Sequence, residues 1–500
     1  MFRPNNISTA ILMLLITSLN TAYSMPPAQS KPAASETGTP SEVSAFFPRI
    51  PGSYIGDPMP FSENNRFYVF HLNDVRGGKD LGVHAWHLLE SQNLYHYKNL
   101  GEVIPYINDL DNPELLLGTG SVIKVGGVYH AWYTAHNQNV YPAESIMHAT
   151  SNDMRNWTKH PKDTFLPGKN YRASDFRDPH VVYIPEENRY WMLITTRQNG
   201  AGVIVKYTSD NLTAWRDEGV LFRNDTPSYD ANLECPTLVN FNGRWYLSFS
   251  DQWPHRQTQY RMAESPNGPF VKPEKFYFDG AGLYAGKLVE QNKRLFVFGW
   301  VPTKADENNK GTTDWAGNLI AHELTAATDG QLHTRLPQEM EAAFAQKVPQ
   351  ASVLHPVATT HSAASFGAIS SRVFAPLTGT TEISGDLRLT GNGAIFSFGM
   401  SDDIPQNAPV NVVFNKKTNK VLFYTAGIDA LPTSQPESGI TTPLSDTLAL
   451  KVIIEDSIAV FYINDTIAFS TRMYHIAGKK WAISATRNDI DTRNLRIRQF

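Results

Sequence analysis

The chain has 500 residues with 44 Lys and Arg against 48 Asp and Glu, a formal net charge of −4. No basic stripe accompanies that balance, which argues against a nucleic-acid partner, and with only Cys235 present no intramolecular disulfide can form. Thirty-three Gly, 32 Pro and 11% aromatic residues suit an all-β chain dense in turns, long enough for two domains with substantial cores.

The N-terminus reads as an export signal over residues 1–24. Arg3 supplies the charge, residues 10–19 form a short apolar core, and Ala22-Tyr23-Ser24 offers small residues at cleavage spacing. That core is shorter than the roughly 20 apolar residues a membrane span needs, so a secreted or periplasmic protein without a membrane anchor is expected. Residues 25–42, rich in Pro, Ala, Ser and Thr, carry too few apolar groups to pack and are expected to form a disordered leader.

From residue 43 a repeat takes over. Five segments place a polar or Gly turn before an aromatic-rich alternating run: Asn65-Arg66-Phe67-Tyr68, Gly127-Val128-Tyr129-His130, Asn188-Arg189-Tyr190-Trp191, Gly243-Arg244-Trp245-Tyr246 and Lys293-Arg294-Leu295-Phe296. Their spacing, 50 to 62 residues, suits one four-stranded sheet per repeat. Four copies carry a second turn signal downstream: Ser91-Gln92-Asn93-Leu94, Ser151-Asn152-Asp153-Met154, Ser209-Asp210-Asn211-Leu212 and Ser265-Pro266-Asn267-Gly268. The expected architecture for residues 43–335 is a five-bladed β-propeller.

Three acidic motifs precede the repeated run at similar distances. Asp57 lies 10 residues before Phe67, Asp178 lies 12 before Tyr190, and Glu234 lies 11 before Trp245. Each therefore belongs to the innermost strand of its blade, where equivalent positions converge on the axis. Blades two and five carry Gly118-Thr119-Gly120-Ser121 and Gly282-Leu283-Tyr284-Ala285 instead, small residues that leave room for a ligand. Three carboxylates around one funnel suit glycoside cleavage. Cys235 beside Glu234 has no paired His motif and reads as a packing residue. No His pair at ligand spacing and no Asp-rich calcium loop occurs, so no metal or other cofactor is expected.

A short helix near Pro337-Gln338-Glu339-Met340-Glu341 falls in an expected linker over residues 336–352. Beyond it alternating segments recur at 387–389, 394–398, 410–414, 421–424, 448–454, 459–463 and 467–470, which predicts a β-sandwich over residues 353–500 with a supporting role.

Asp57-Pro58, Phe176-Arg177-Asp178-Pro179 and Glu234-Cys235-Pro236 resemble, in order, the three signatures of glycoside hydrolase family 32, the invertase, inulinase and levanase group. Trp86 with its downstream turn, Gly120-Ser121, Phe298-Gly299-Trp300, Asp314-Trp315-Ala316-Gly317 and His322-Glu323-Leu324 resemble further family segments, and the likeness runs over roughly residues 50 to 500. It implies a retaining hydrolase acting on sucrose, levan or inulin. Asp57 would be the nucleophile and Glu234 the acid/base. Asp178 would accept hydrogen bonds from fructosyl hydroxyls, with Arg177 holding the carboxylates. Trp86, Ser121 and Trp300 would contact substrate, while Trp132, Trp253 and Trp315 read as core.

The first motif departs from the family's usual Trp-Met-Asn-Asp-Pro-Asn-Gly, being Tyr54-Ile55-Gly56-Asp57-Pro58-Met59-Pro60 here, and the family's downstream Gln aligns with Leu72. Fructosyl transfer, cleavage of another furanoside, or sugar binding without catalysis thus stay open alongside hydrolysis.

Overall fold

The computed structural model describes residues 40–252, 256–347, 357–363, 367–389, 391–486, 491 and 494–500. The export signal, most of the leader and Trp253 lie outside the described residues. Ser41–Ser44, however, is a strand paired with Asn99 to His96, so sheet structure takes in residues 41 and 42, the last two of the expected leader. The backbone hydrogen bonds of that edge supply what the side chains lack.

Among the described residues the chain is built almost entirely of antiparallel strands. The inner strands Tyr54–Glu63, Leu116–Val125, Phe176–Ile184, Leu233–Phe241 and Tyr284–Gln291 each pair with a following strand: Arg66–Asp74, Val128–His136, Arg189–Gln198, Arg244–Asp251 and Arg294–Lys304. These second strands are the five aromatic runs of the repeat. Four of the five connecting turns put consecutive residues at positive φ: Asn64 and Asn65, Gly126 and Gly127, Asn242 and Gly243, Asn292 and Lys293. That conformation matches the right-handed twist of the flanking strands, which is why Asn and Gly recur there.

The downstream turns are built alike. Ser91 Oγ accepts from the N–H of Asn93 and Leu94, and Asn93 Oδ1 from the N–H of Tyr95 and His96. Ser151 with Asp153 and Ser209 with Asn211 make equivalent bonds. Leu94, Met154 and Leu212 end these turns at φ of 61 to 65°, each burying its side chain.

The five inner strands neighbour one another in chain order, and the last returns to the first. Gly317 of the strand Thr313–Ala326 also pairs with Ile55, joining the last sheet to the first by backbone hydrogen bonds.

The C-terminal part holds a seven-stranded and a five-stranded sheet among the described residues. They face each other across a core in which Phe396, Phe398 and Trp481 of one meet Val452, Phe461 and Phe469 of the other. The alternating segments read from the sequence lie on these strands. Ser438–Thr441, Lys480–Thr486 and Arg496–Gln499 are further strands, outside the segments read from the sequence. The helix Gln338–Ala345 buries Met340, Ala343 and Phe344 in a core shared by Phe46 and Phe47, Phe296, and Val460 and Tyr462. Residues 38–500 form one compact unit.

Candidate active site

All five inner strands break register at the same place. The pairing jumps between Gly56 and Met59, Leu117 and Gly120, Arg177 and His180, Glu234 and Thr237, and Tyr284 and Lys287. Two residues on each inner strand thus oppose one on the partner, a β-bulge that bends the strand and re-aims its side chains. Asp57, Asp178, Cys235 and Ala285 open four of these bulges at φ of 36, 59, 55 and 51°. Pro58, Pro179 and Pro236 follow in three of them, where the missing ladder N–H costs nothing. Non-Gly residues held at positive φ are strained, and such strain gathers at functional sites.

The bulges refine the register inferred from counting. Asp57 and Asp178 occupy equivalent positions, while Glu234 sits one residue earlier, level with Arg177 and Tyr284. In a regular strand that offset would send Glu234 to the opposite face. At the bulge, consecutive side chains border the same space: Arg177 with Asp178, and Glu234 with Cys235, line one cavity of about 490 Å³ together with Asp57.

Asp57 is held from both sides. Its Oδ2 accepts from the Thr119 hydroxyl at 2.7 Å and its Oδ1 from the Trp300 indole Nε1–H at 2.9 Å. Burial pushes its carboxyl above the usual range; these two bonds work against that rise and the charge of Glu234 works with it. Asp178 accepts from the Cys235 N–H at 2.9 Å, and burial, opposed chiefly by Arg177, pushes it up to about 7.

Glu234 takes three donors. Its Oε1 accepts from Arg177 Nη2 at 2.9 Å and Gln252 Nε2 at 2.8 Å, and its Oε2 from the Tyr284 hydroxyl at 2.5 Å. Arg177 is fixed in turn by Asp175 at 3.1 Å and Glu144 at 3.3 Å. Cys235 packs as an apolar wall beside Tyr284, Ala285 and Trp300, and this burial pushes its thiol well up.

Three aromatic and polar assignments change. Trp86 does not line the cavity; it is fully buried among Phe70, Leu88 and Tyr133, with its Nε1–H donated to the Gly118 carbonyl. Ser121 is absent from the lining as well: its Oγ accepts from the Val181 N–H at 2.9 Å, tying the second inner strand to the third. Ser121 lies past the bulge of its inner strand, where ordinary alternation decides, and Trp86 opens the third strand of its sheet, Trp86–Ser91. Trp315, read as core, is half-buried and lines the cavity against His84, with ring centroids 4.4 Å apart. Trp300 does reach the cavity, and Trp132 is core, stacked on His148.

Several lining groups escaped sequence reasoning: Thr119, Glu144, Gln252, Arg256, Tyr284 and His84. Tyr284 had a usable signal, since it shares its register with Arg177 and Glu234. Thr119 lies in the bulge of the second inner strand, while Glu144, Gln252, Arg256 and His84 come from loops and neighbouring strands that the repeat does not address.

A model of the glycosyl hydrolases family 32 N-terminal domain matches residues 50–335. This chain belongs to glycoside hydrolase family 32. Among curated family members it is 26% identical over 204 residues to the sucrose-6-phosphate hydrolase of Lactococcus lactis, covering 40% of this chain and 42% of that one. It is 24% identical over 324 residues to the sucrose-6-phosphate hydrolase of Escherichia coli, 59% and 66%, and 24% over 288 residues to the levanbiose-producing levanase of Bacillus subtilis, 55% and 51%. The chain thus spans between two fifths and two thirds of the length of these relatives.

In fold, the Bombyx mori family 32 β-fructofuranosidase solved with sucrose superposes at a TM-score of 0.67, with 17% identity over 92% of this chain and 93% of that one. The exo-inulinase of Aspergillus awamori gives 0.68, with 17% identity over 91% and 96%. The departure of the first motif from the family 32 pattern has a steric counterpart here. A Cβ added to Gly56 would stand 2.2 Å from Trp315 Cη2, so the indole occupies the space in which an Asn side chain would start.

Proposed function

We propose that the protein is a retaining glycoside hydrolase that cleaves terminal β-fructofuranosyl bonds of sucrose or of fructans such as levan and inulin, at the axis of a five-bladed propeller. The observation that carries the reading is the separate tethering of Asp57 and Glu234 in one cavity, by Thr119 and Trp300 for the first and by Arg177, Gln252 and Tyr284 for the second. The propeller reading rests on the closed succession of inner strands and their shared bulge.

In this scheme Asp57 attacks the anomeric carbon while Glu234 gives a proton to the leaving oxygen. A covalent fructosyl ester results. Glu234 then takes a proton from water, whose oxygen displaces Asp57 and restores the free carboxylate. A carboxylate pair doing this work stands roughly 5 Å apart. Asp178 serves as acceptor for fructosyl hydroxyls, and Arg177, through its bond to Glu234, fixes the acid between strands three and four.

The test is release of free fructose from sucrose, levan and inulin by the purified protein. Products longer than the starting sugar would assign the site to transfer, and fructan binding without any release would assign it to a lectin-like role. Export is part of the proposal: N-terminal sequencing of protein recovered from outside the cytoplasm should begin after Ser24, and an intact Met1 there would refute it.

A further inference from the structure

We infer that Arg256 is a positioning residue for the two carboxylates, bracing with one guanidinium the two rings that hold them. The inference rests on the assignment of Asp57 and Glu234 above and adds a group that the family motifs do not contain. Arg256 Cζ lies 4.8 Å from the ring centroid of Tyr284 and 4.9 Å from that of Trp300. Those rings stand edge to face, 5.6 Å apart. Each of them holds one carboxylate: the Tyr284 hydroxyl donates to Glu234 Oε2, and the Trp300 Nε1–H to Asp57 Oδ1. One cation therefore sits on the pair of side chains that fixes the spacing of nucleophile and acid.

The placement is built in. Arg256 is only 7% exposed, and its backbone is held at φ 52° with its N–H donated to the Gln252 carbonyl. Gln252, at the other end of that bond, gives its own amide to Glu234. A planar guanidinium can lie against aromatic faces in a way an ammonium cannot, and a positive charge over a ring is attracted by its quadrupole. Arg177 is engaged with Glu234, Glu144 and Asp175, and Arg256 brings a second guanidinium to the cavity that Asp57 and Glu234 line. It acts through the rings and through the field.

Two variants separate this from a packing role: Arg256→Met keeps the bulk and drops the charge and the planar face, while Arg256→Lys keeps the charge. With sucrose or levan as substrate, Arg256→Met should lower kcat by about tenfold or more with KM within about threefold, the pattern of lost transition-state positioning, and Arg256→Lys should recover part of the loss. Wild-type turnover by the Met variant, or a loss confined to KM, would overturn the inference. A crystal structure of Arg256→Met decides it without turnover: at least one of the Tyr284 to Glu234 and Trp300 to Asp57 hydrogen bonds should open, and survival of both would refute the brace. Absence of fructose release by the wild type would defeat the functional reading while leaving this structural result to stand or fall alone.

Discussion

Gly56 and Trp315 are sterically interlocked: a Cβ built on Gly56 would lie 2.2, 2.6 and 2.8 Å from three carbons of the Trp315 six-membered ring. These are backbone and rigid indole, with Arg76 bonded to the Trp315 carbonyl and Asp314, so neither side has a soft way to yield. Gly56 is therefore the residue that lets Trp315 form a wall of the cavity that Asp57 lines. Replacing it with the Asn usual in the family, Gly56→Asn, should cut turnover by about tenfold or more and lower the melting temperature, as overpacking costs roughly 1–3 kcal/mol. Adding Trp315→Ala should restore part of the stability. A fully active, fully stable Gly56→Asn protein would refute the interlock.

The two carboxylates should differ in how they fail. On the proposed division of roles Asp57→Asn takes away the nucleophile and Glu234→Gln the proton donor, so each should reduce sucrose or levan turnover by at least about 10²-fold. A substrate whose leaving group needs no proton, such as a nitrophenyl fructoside, should rescue fructosyl-enzyme formation in Glu234→Gln but leave Asp57→Asn inactive. Equal rescue of both, or of neither, would mean the roles are wrongly divided.

Asp178 makes stability depend on pH in a stated direction. Its carboxyl binds a proton more tightly folded, with a pKa of about 7, than in the unfolded chain, where about 4 is usual. Its contribution thus favours the fold fully below about pH 4 and is lost as pH rises through about 7. Asp178→Asn cannot ionise and should escape that loss. Its melting temperature relative to wild type should rise across this window; curves that stay parallel would contradict the burial argument.

A second buried acid anchors the C-terminal part. Asp279, 1% exposed, accepts from the N–H and hydroxyl of Ser470 at 2.7 and 2.5 Å and from Gly280 N–H at 2.6 Å, and lies 3.0 Å from His322 Nε2. His322 reaches the Tyr462 hydroxyl at 3.0 Å through its other nitrogen. Asp279→Ala leaves these groups buried without their acceptor, a loss of about 3–5 kcal/mol for a broken buried pair. Calorimetry should show a clear drop in melting temperature with kcat at low temperature nearly unchanged, since the residue is outside the cavity. An unaltered melting profile would sink this reading.

Much of the fold was legible because its signals are local. Asn64-Asn65 or Gly126-Gly127 can enter a tight turn where other residues resist, and a Ser and an Asn two apart close the next turn with their own side chains, wherever the rest of the chain lies. The acids were legible for the same reason, each lying one or two residues before a Pro and 10 to 12 residues before an aromatic of the repeated run. The aromatic platforms were not: Trp86 and Trp315 look alike in sequence, and which one meets the cavity depends on a bulge and on a glycine packed against an indole. Gln252 and Arg256 were invisible because they reach the site from a loop that obeys no period.

The linear order of residues by itself determined the repeated hairpins, the all-β class and the three acids, since backbone preference and period-two alternation act over a few residues. Only the folded chain decided that Glu234, one position out of step with Asp57 and Asp178, still faces them. Five strands had to bend at the same point and close on one another before that offset could be absorbed, and no short stretch of sequence contains that condition.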